Sequence, residues 1–588
     1  MDIKNLNSTN LIAQYMQNKA PQKQPAVQTA TTSSSSLIEE FLRNQGLINR
    51  PAVTQSAGVS TSTSPEVLNY KNNLRTMFTN GEAKILAIIP RIFNAKDVNG
   101  NDFIDRHEQH GTFLNAIERL DEIKKEGFNT LHVLPIHPPG KIKAMGTAGS
   151  VYAPKEMVTK DGQLAIDPML VEPNDPRSPQ EQFKAFIDEC HKRGIKVMLD
   201  LPSCASYDMF LAEPDLMAKE RDGVLAKTPQ GWNDIRMFEP WADEEKRTLN
   251  PKLLEMHKQY VDACIDLGID GIRSDVARAK PTEFWDIVIP HSRKRDPEFA
   301  WLAETYTHEC ASPQANMPYD RPIDSLRAGF DIYYGQYHIF HEWATASDLM
   351  SYVKENIALS HEPGMKGKGL IGSFTTHDDE SPMNRGGENY CNLTTALQVT
   401  LPMVNPYFVD GYQSGDAYLY SYEDQHDLIE SHTDSTKMEV HRNKLDLFNI
   451  ARKPGGDKPQ IGKFMTHAFN VREQHLDTIT KGSFIELEKS GDKSDQIITY
   501  ARHLNGKTLL LVANKNPNRE MSATIKIPTL KATQPLNDLL LPYGEQSKFL
   551  PSNGELKVEI APNRAHLFEI DTPSIEQYCG NRVYQHAL

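Results

Sequence analysis

The sequence predicts an α/β protein, a (β/α)8 TIM barrel with loop insertions followed by a C-terminal antiparallel β-sandwich. Between residues 81 and 480, buried strand-like runs alternate with amphipathic helical patterns, which is the order of successive βα units. After about residue 480, short alternating strands are separated by Gly, Asn, Pro and Asp, as in antiparallel sheets. Acidic residues follow several of the barrel runs, at the end of the strand where barrel enzymes carry their chemistry.

Residues 1–80 are predicted to be a disordered tail, because they are rich in Ser, Thr and Gln and poor in apolar side chains. Two short segments of this tail, 8–18 and 34–44, share polar capping residues followed by an apolar stripe. They are either transient helical turns or a duplicated motif that docks into the groove of a protein partner.

The predicted barrel contains its strands in chain order. The apolar runs are 84–93, 129–138, 195–202, 271–275, 299–305, 328–335, 369–378 and 403–411. Helical patterns lie between them, and two long insertions, 139–178 and 202–250, are where such barrels carry substrate loops. The sandwich is predicted at residues 481–575, with a short tail at 576–588.

Composition excludes several classes of function. The net charge of −14, with both signs mixed along the chain, argues against a nucleic-acid partner. No apolar run reaches the length of a membrane span or a signal peptide. The six scattered cysteines favour reduced thiols, so a cytoplasmic location is expected.

Three acidic residues, Asp275, Glu304 and Asp378, each end a predicted buried strand. Arg273 lies two residues before Asp275 and therefore on the same face of its strand, where it can hold that carboxylate ionised. Glu304 follows an apolar run, an environment in which a carboxyl keeps its proton. Together with His377, which precedes Asp378, this pattern indicates glycosidic bond chemistry with a nucleophile and a proton donor.

These motifs resemble those of the alpha-amylase family of glycoside hydrolases and transglycosidases, over about residues 84–572. The resemblance implies that Asp275 is the nucleophile, Glu304 the acid/base and Asp378 the stabiliser of the transition state. Asp200, in a segment similar to the third-strand motif, would support the site and Arg273.

Further substrate contacts are expected around these carboxylates. Arg273 and His377 would orient the site and grip sugar hydroxyls. Tyr152 either stacks on the apolar face of a sugar or packs within its loop. Cys204-Ala205 stands where the family usually has Asn-His, and Val276 and Arg278-Ala279 also depart from the pattern around the nucleophile.

A loop after the first predicted strand could bind Ca²⁺. Oxygen donors recur at Asp97, Asn99, Asn101 and Asp105, with the backbone carbonyl of Phe103 between them, which is the donor spacing of a hard-cation loop. The alternative is an Asn- and Gly-rich turn that holds no metal.

Three functions remain open. The motifs favour a retaining hydrolase or transglycosidase acting on an alpha-glucan or maltooligosaccharide through a covalent glycosyl-enzyme. Segments 110–141 and 280–290 resemble the maltose-1-phosphate-dependent maltosyltransferase branch of the family, although the residues that would bind the phosphate are not evident. The third alternative is a non-catalytic carbohydrate-binding protein, against which the complete set of three carboxylates argues.

Overall fold

The structure is a computed structural model and describes residues 70–588 with gaps. The residues outside the description are 1–69, 101–103, 105–106, 145–148, 221–222, 224–225, 229–234, 307–320, 380, 418–457, 492, 532–533 and 542–546. Both predicted tail motifs lie outside the described residues.

A parallel sheet closes into the predicted barrel. Its strands are β1 (Ile85–Ile88), β2 (Thr130–Val133), β3 (Lys196–Leu201), β4 (Gly271–Ser274), β5 (Ala300–Ala303), β6 (Ile332–Tyr333), β7 (Gly369–Ile371), β8 (Val404–Asn405) and β9 (Tyr407–Val409). They pair in the order β8-β7-β6-β5-β4-β3-β2-β1-β9. The observed order confirms the (β/α)8 prediction, with the eighth strand divided into β8 and β9.

Pro406 divides the eighth strand. β8 pairs with β7, and β9 pairs with β1 through Ile85 and Tyr407, so the two halves together close the barrel. Proline cannot donate a backbone hydrogen bond. Its carbonyl oxygen nevertheless accepts the amide N–H of Ile85 at 2.8 Å, which keeps the closure continuous.

Helices cover the outside of the barrel. They are α1 (Leu74–Asn80), α2 (Leu120–Glu126), α3 (Pro179–Lys192), α4 (Pro251–Leu267), α5 (Thr282–Arg295), α6 (Ala346–Ser360), α7 (Pro382–Thr400), α8 (Pro459–Gln474) and α9 (Leu476–Lys481). Ser178 begins α3 with a capping box, and Asn250 caps α4 through two backbone N–H groups. Short helical turns occur at Pro90–Phe93, Phe113–Ala116, Tyr207–Ala212 and Pro322–Arg327. The predicted run 84–93 is therefore a strand only in its first half.

The start of the barrel domain differs from the prediction. The sequence assigns residues 70–80 to the tail, but α1 buries Leu74 and Phe78 against the barrel. The Tyr70 hydroxyl donates to Asp270 at 2.6 Å, and the Asn72 amide donates to Asp296 at 2.6 Å. These contacts fix the segment, so residues 70–80 belong to the barrel domain and not to the tail.

The C-terminal region contains two antiparallel sheets. The five-stranded sheet and the three-stranded sheet are formed by β10 (Ser483–Glu486), β11 (Lys489–Ser490), β12 (Ile497–Leu504), β13 (Lys507–Asn514), β14 (Met521–Lys526), β15 (Glu555–Ile560), β16 (Ala565–Ile570) and β17 (Val583–Tyr584). Their orders are β16-β13-β12-β10-β17 and β11-β14-β15. The predicted tail 576–588 is part of this fold, because helix α10 (Ile575–Cys579) and strand β17 both pack within it.

None of the helices in the described part of the chain has the length and apolar character needed to cross a membrane.

The packing of α1 predicts a stability effect. Leu74→Ala should lower the free energy of unfolding by about 2–5 kcal/mol, because it removes a fully buried side chain. Thr79→Ala, on the exposed face of the same helix, should change it by less than about 0.5 kcal/mol. Denaturant titration of both variants tests this, and equal stabilities would contradict the docking of α1.

Candidate active site

The three predicted carboxylates meet at the C-terminal mouth of the barrel. β4 and β5 are neighbours, with Ser274 opposite Ala303, so Asp275 and Glu304 follow them at the same level. The backbone N–H of Val276 donates to Glu304 Oε2 at 2.7 Å and ties the two strand ends together. The structure therefore brings together residues that lie far apart in the sequence.

Arg273 joins the acidic side chains. Its guanidinium is fully buried, and Nη1 donates to Asp200 at 2.9 and 3.0 Å and to Asp275 Oδ1 at 3.0 Å. Nη2 donates to Glu304 Oε2 at 2.7 Å, and Nε donates to the Tyr334 hydroxyl at 3.0 Å. All three of its nitrogens are thus bonded, and the positions of both predicted catalytic carboxylates depend on one cation.

Strand register explains this arrangement. Asp200 on β3 lies directly opposite Arg273 on β4, so both side chains point to the same side of the sheet. That side is the barrel interior, where charged groups are stable only when paired. Although burial alone would raise it, the charge of Arg273 and a bond from His132 hold the pKa of Asp200 at about 2.

Glu304 is suited to proton transfer. Its side chain is almost completely buried, and its Oε1 accepts a bond from the Tyr306 hydroxyl at 3.2 Å. Burial raises the pKa of Glu304 to about 7, with Arg273 opposing this rise and the negative charge of Asp275 adding to it. A carboxyl with this pKa can both give and take a proton near neutral pH.

Asp378 lies partly exposed on the other side of the site, 3.4 Å from His377 Nε2. Burial raises the pKa of Asp378 well above its ordinary value, and the charge of Glu304 adds to this effect. The backbone N–H of Asp378 donates to Thr376 Oγ1 at 3.1 Å, which fixes the loop after β7. The third carboxylate is therefore electrostatically part of the same site.

A buried hydrogen-bond network joins Tyr152, Asp200 and His377 next to the three carboxyl groups. The Tyr152 hydroxyl donates to Asp200 Oδ2 at 2.8 Å and lies 2.8 Å from His377 Nε2. Because this hydroxyl has one hydrogen, His377 must carry a proton on Nε2 to complete the contact. Burial, with a contribution from Arg273, lowers the pKa of His377 well below its ordinary value, so the ring is neutral.

Tyr152 occupies a different position from an open stacking platform. Its ring stacks on His377 with a centroid distance of 5.6 Å, and only 8% of the residue is exposed. That Tyr152 stacks on a sugar remains a prediction. Its hydroxyl contacts Asp200 and His377, and the sequence did not predict these contacts.

Several further site residues were missed by sequence analysis. His132 lies between Asp200 and Tyr407, at 3.1 and 3.0 Å, and Tyr334 supports Arg273. Ser203 contacts Asp275. The three aromatic residues lie within predicted barrel strands, where core packing explains their presence equally well, so no sequence signal distinguished them.

The predicted calcium loop is described only in part. Asn101, Phe103 and Asp105 lie outside the described residues. Asp97 Oδ1 accepts the backbone N–H of Gly100 at 2.7 Å, as in a tight turn. No cluster of three or more metal-binding side chains occurs within the described residues.

Comparison with known proteins identifies relatives along most of the chain, although no protein-family model matches it. An alpha-1,4-glucan:maltose-1-phosphate maltosyltransferase of Corynebacterium glutamicum is 24% identical over 71% of this chain and 58% of its own length. Maltosyltransferase 2 of Streptomyces coelicolor is 24% identical over 80% of this chain and 66% of its own length. The chain thus spans about three fifths of the length of these curated relatives.

Solved structures show the same architecture. A maltogenic alpha-amylase from Thermotoga neapolitana has a TM-score of 0.58 at 18% identity, covering 84% of this chain and 99% of its own. A debranching enzyme from Nostoc punctiforme has a TM-score of 0.56 at 17% identity, covering 83% and 98%. At such identities these structures establish the fold alone. The maltosyltransferase relatives are what confirms the predicted resemblance to the alpha-amylase family and its maltosyltransferase branch.

The electrostatics of Glu304 can be tested directly. Asp275→Asn removes a negative charge that raises the pKa of Glu304, so this pKa should fall below about 7. Carbon-13 NMR titration of protein labelled at the glutamate carboxyl measures it, with Glu304→Gln identifying the signal. A Glu304 signal that titrates identically in wild type and variant would contradict the coupling.

Proposed function

We propose that this relative of the alpha-amylase family is a retaining enzyme that acts on alpha-glucans through a covalent glycosyl-enzyme. The observation that supports this is the shared guanidinium, because Nη1 of Arg273 bonds Asp275 and Nη2 bonds Glu304. Two carboxyl groups held on one guanidinium lie close together. A short separation is the geometry of retaining glycosidases, whereas inverting enzymes leave room for a water molecule.

In the first step, a carboxylate oxygen of Asp275 forms a bond to the anomeric carbon of the bound sugar. The bond from that carbon to the leaving oxygen breaks, and Glu304 gives its proton to that oxygen. The near-neutral pKa of Glu304 suits this role. Arg273 orients Asp275 for attack through the bond from Nη1 to Oδ1.

In the second step, water or a sugar hydroxyl attacks the anomeric carbon. Its proton passes to the Glu304 carboxylate, and the bond to Asp275 breaks, which restores the starting state. Asp378 and His377 are placed to grip hydroxyls of the distorted sugar. The Tyr152 hydroxyl contacts both His377 and Asp200, and Asp200 in turn holds Arg273 in place.

A second candidate is maltosyl transfer from maltose 1-phosphate to an alpha-glucan. The names of the curated relatives favour it, since the matches in Corynebacterium glutamicum and Streptomyces coelicolor are such transferases. The covalent chemistry would be the same, but the leaving oxygen would belong to phosphate. The residue after the nucleophile is Val276 in this chain, whereas the maltosyltransferase branch commonly has Asn there. This difference argues that the contacts to the leaving group differ from those of that branch.

Replacing the reacting carboxyl groups tests the enzymatic proposal. Asp275→Asn and Glu304→Gln should each reduce turnover of maltooligosaccharides by more than about 10³-fold, because each removes a group from the chemical step. Glu555→Gln, an exposed residue of the C-terminal sheets, serves as the control. Activity of either site variant within tenfold of wild type would contradict the assignment, and wild type that binds sugar without turnover would favour a carbohydrate-binding protein.

The donor can be identified from products. The protein is incubated with maltoheptaose in the presence and absence of inorganic phosphate, and separately with maltose 1-phosphate and an acceptor glucan. The primary proposal predicts shortened or redistributed oligosaccharides without any phosphate requirement. Phosphate release from maltose 1-phosphate, or maltose 1-phosphate formed from maltoheptaose, would establish the second candidate instead.

We propose further that the loop carrying Asp97, Asn99, Asn101, Phe103 and Asp105 binds Ca²⁺ after β1. Asp97 and Asn99, the two of these residues that the structure describes, carry side-chain oxygen atoms, which this cation prefers. Saturating Ca²⁺ should then raise the melting temperature relative to chelator, and Asp97→Ala should reduce that increase. Equal melting temperatures in Ca²⁺ and chelator would contradict a calcium site.

A further inference from the structure

The carboxylate of Asp275 is held from two sides. Arg273 Nη1 donates to Oδ1 at 3.0 Å. On the other oxygen, Oδ2, the backbone N–H and the hydroxyl of Ser203 both donate, at 3.1 and 2.7 Å. The two sets of bonds together fix the rotation of the carboxylate about its Cβ–Cγ bond, which neither set alone would do.

Ser203 belongs to the segment in which the chain departs from the family pattern. It precedes Cys204 and follows β3, and it is only 3% exposed. A short strand at Cys204–Ala205 pairs with Arg236–Met237, which fixes the backbone directly after Ser203. The serine therefore reaches Asp275 from a backbone segment that is held by strand pairing.

Lys280 holds Ser203 in turn. Its Nζ donates to the backbone carbonyl of Ser203 at 2.9 Å and lies 5.0 Å from the centre of the Phe238 ring. The side chain is 1% exposed, and burial lowers the pKa of Lys280 to about 8, while Cys204 and Asp275 partly oppose that change.

Burying an ammonium group costs free energy unless strong contacts compensate it. A hydrophobic residue would fill the space beside Phe238 without that cost. The lysine supplies instead a bond to the residue that orients Asp275, and its own Cα lies five positions after Asp275. Besides the bonds between Ser203 and Asp275, Lys280 therefore forms a second connection between the end of β3 and the end of β4.

We propose that Ser203 is a positioning residue for the nucleophile Asp275, and that Lys280 acts through Ser203 by fixing its backbone. The inference rests on the proposed function, in which Asp275 attacks the anomeric carbon. Ser203 directly precedes Cys204-Ala205, which stand where the family usually has Asn-His, and it contacts Asp275 itself.

The first test compares Ser203→Ala with Ser203→Thr, which retains a hydroxyl. Ser203→Ala should lower kcat on maltooligosaccharides about 30-fold while KM changes less than about twofold, in line with the loss of a bond to a charged group. Ser203→Thr should recover most of that loss. Ser325→Ala, equally buried but outside the site, should leave both constants unchanged.

The pH dependence separates positioning from packing. A carboxylate that loses a hydrogen-bond donor holds its proton more tightly, so the acidic limb of kcat/KM should move to higher pH in Ser203→Ala.

Lys280→Met should lower kcat by about fivefold. Lys368→Met is its matched control, because Lys368 also donates to a backbone carbonyl, that of Phe330, and burial also lowers its pKa to about 8.

If Ser203→Ala has the same turnover and the same acidic limb of kcat/KM as wild type, the inference is wrong. Equal losses in Ser203→Ala and Ser203→Thr would also overturn it. Crystal structures of wild type and Ser203→Ala give a readout that needs no activity. Rotation of the Asp275 carboxylate in the variant supports the inference, and an unmoved carboxylate overturns it. Absence of any alpha-glucan turnover by wild type would instead overturn the proposed function.

Discussion

The buried guanidinium of Arg273 is the interaction on which the site depends. It faces three carboxyl groups, those of Asp200, Asp275 and Glu304, with a single positive charge. Three ionised carboxylates around one cation in a barrel interior would leave net negative charge without compensation. The proton on Glu304 resolves this, so the same arrangement that stabilises the barrel mouth also suits Glu304 to its proposed role as proton donor.

The distribution of charge separates the roles of chemically similar groups. Asp200 is held ionised, with a pKa near 2, and anchors Arg273 from β3. Glu304, on the opposite side of the guanidinium, keeps its proton to about pH 7. His377 is neutral and donates from Nε2 to Tyr152, so the cation that bonds Asp200, Asp275 and Glu304 is Arg273. Environment, and not residue type, therefore decides which group transfers a proton.

The sequence revealed the parts of this site that local patterns encode. The buried apolar runs predicted the order of the barrel strands. The acidic residues at the ends of three of these runs, Asp275, Glu304 and Asp378, predicted the site. The contacts of His132, Tyr334 and Ser203 depend on pairings across the barrel that no local pattern specifies. The polar composition of residues 70–80 predicts a tail, yet the buried side chains of α1 dock this segment on the barrel.

The choice of donor and acceptor depends on the loops around this common centre. The loop after β3 carries Cys204-Ala205 where the family usually has Asn-His, and the segment after β4 carries Val276 and Lys280. The curated relatives, of which this chain covers about three fifths, are named for transfer from maltose 1-phosphate. Under the proposed function, the same carboxyl groups serve hydrolysis and transfer, so we expect the loops to decide between the two reactions.

The most direct test of the account is to trap the covalent intermediate. Glu304→Gln is incubated with a fluorinated maltosyl fluoride, whose leaving group needs no proton and whose intermediate breaks down slowly. Mass spectrometry of the intact protein and of its peptides should then show one added glycosyl unit, on the peptide that contains Asp275, and Asp275→Asn should show none. Rapid turnover of this donor with inversion of anomeric configuration, or an adduct on a different residue, would contradict the central claim.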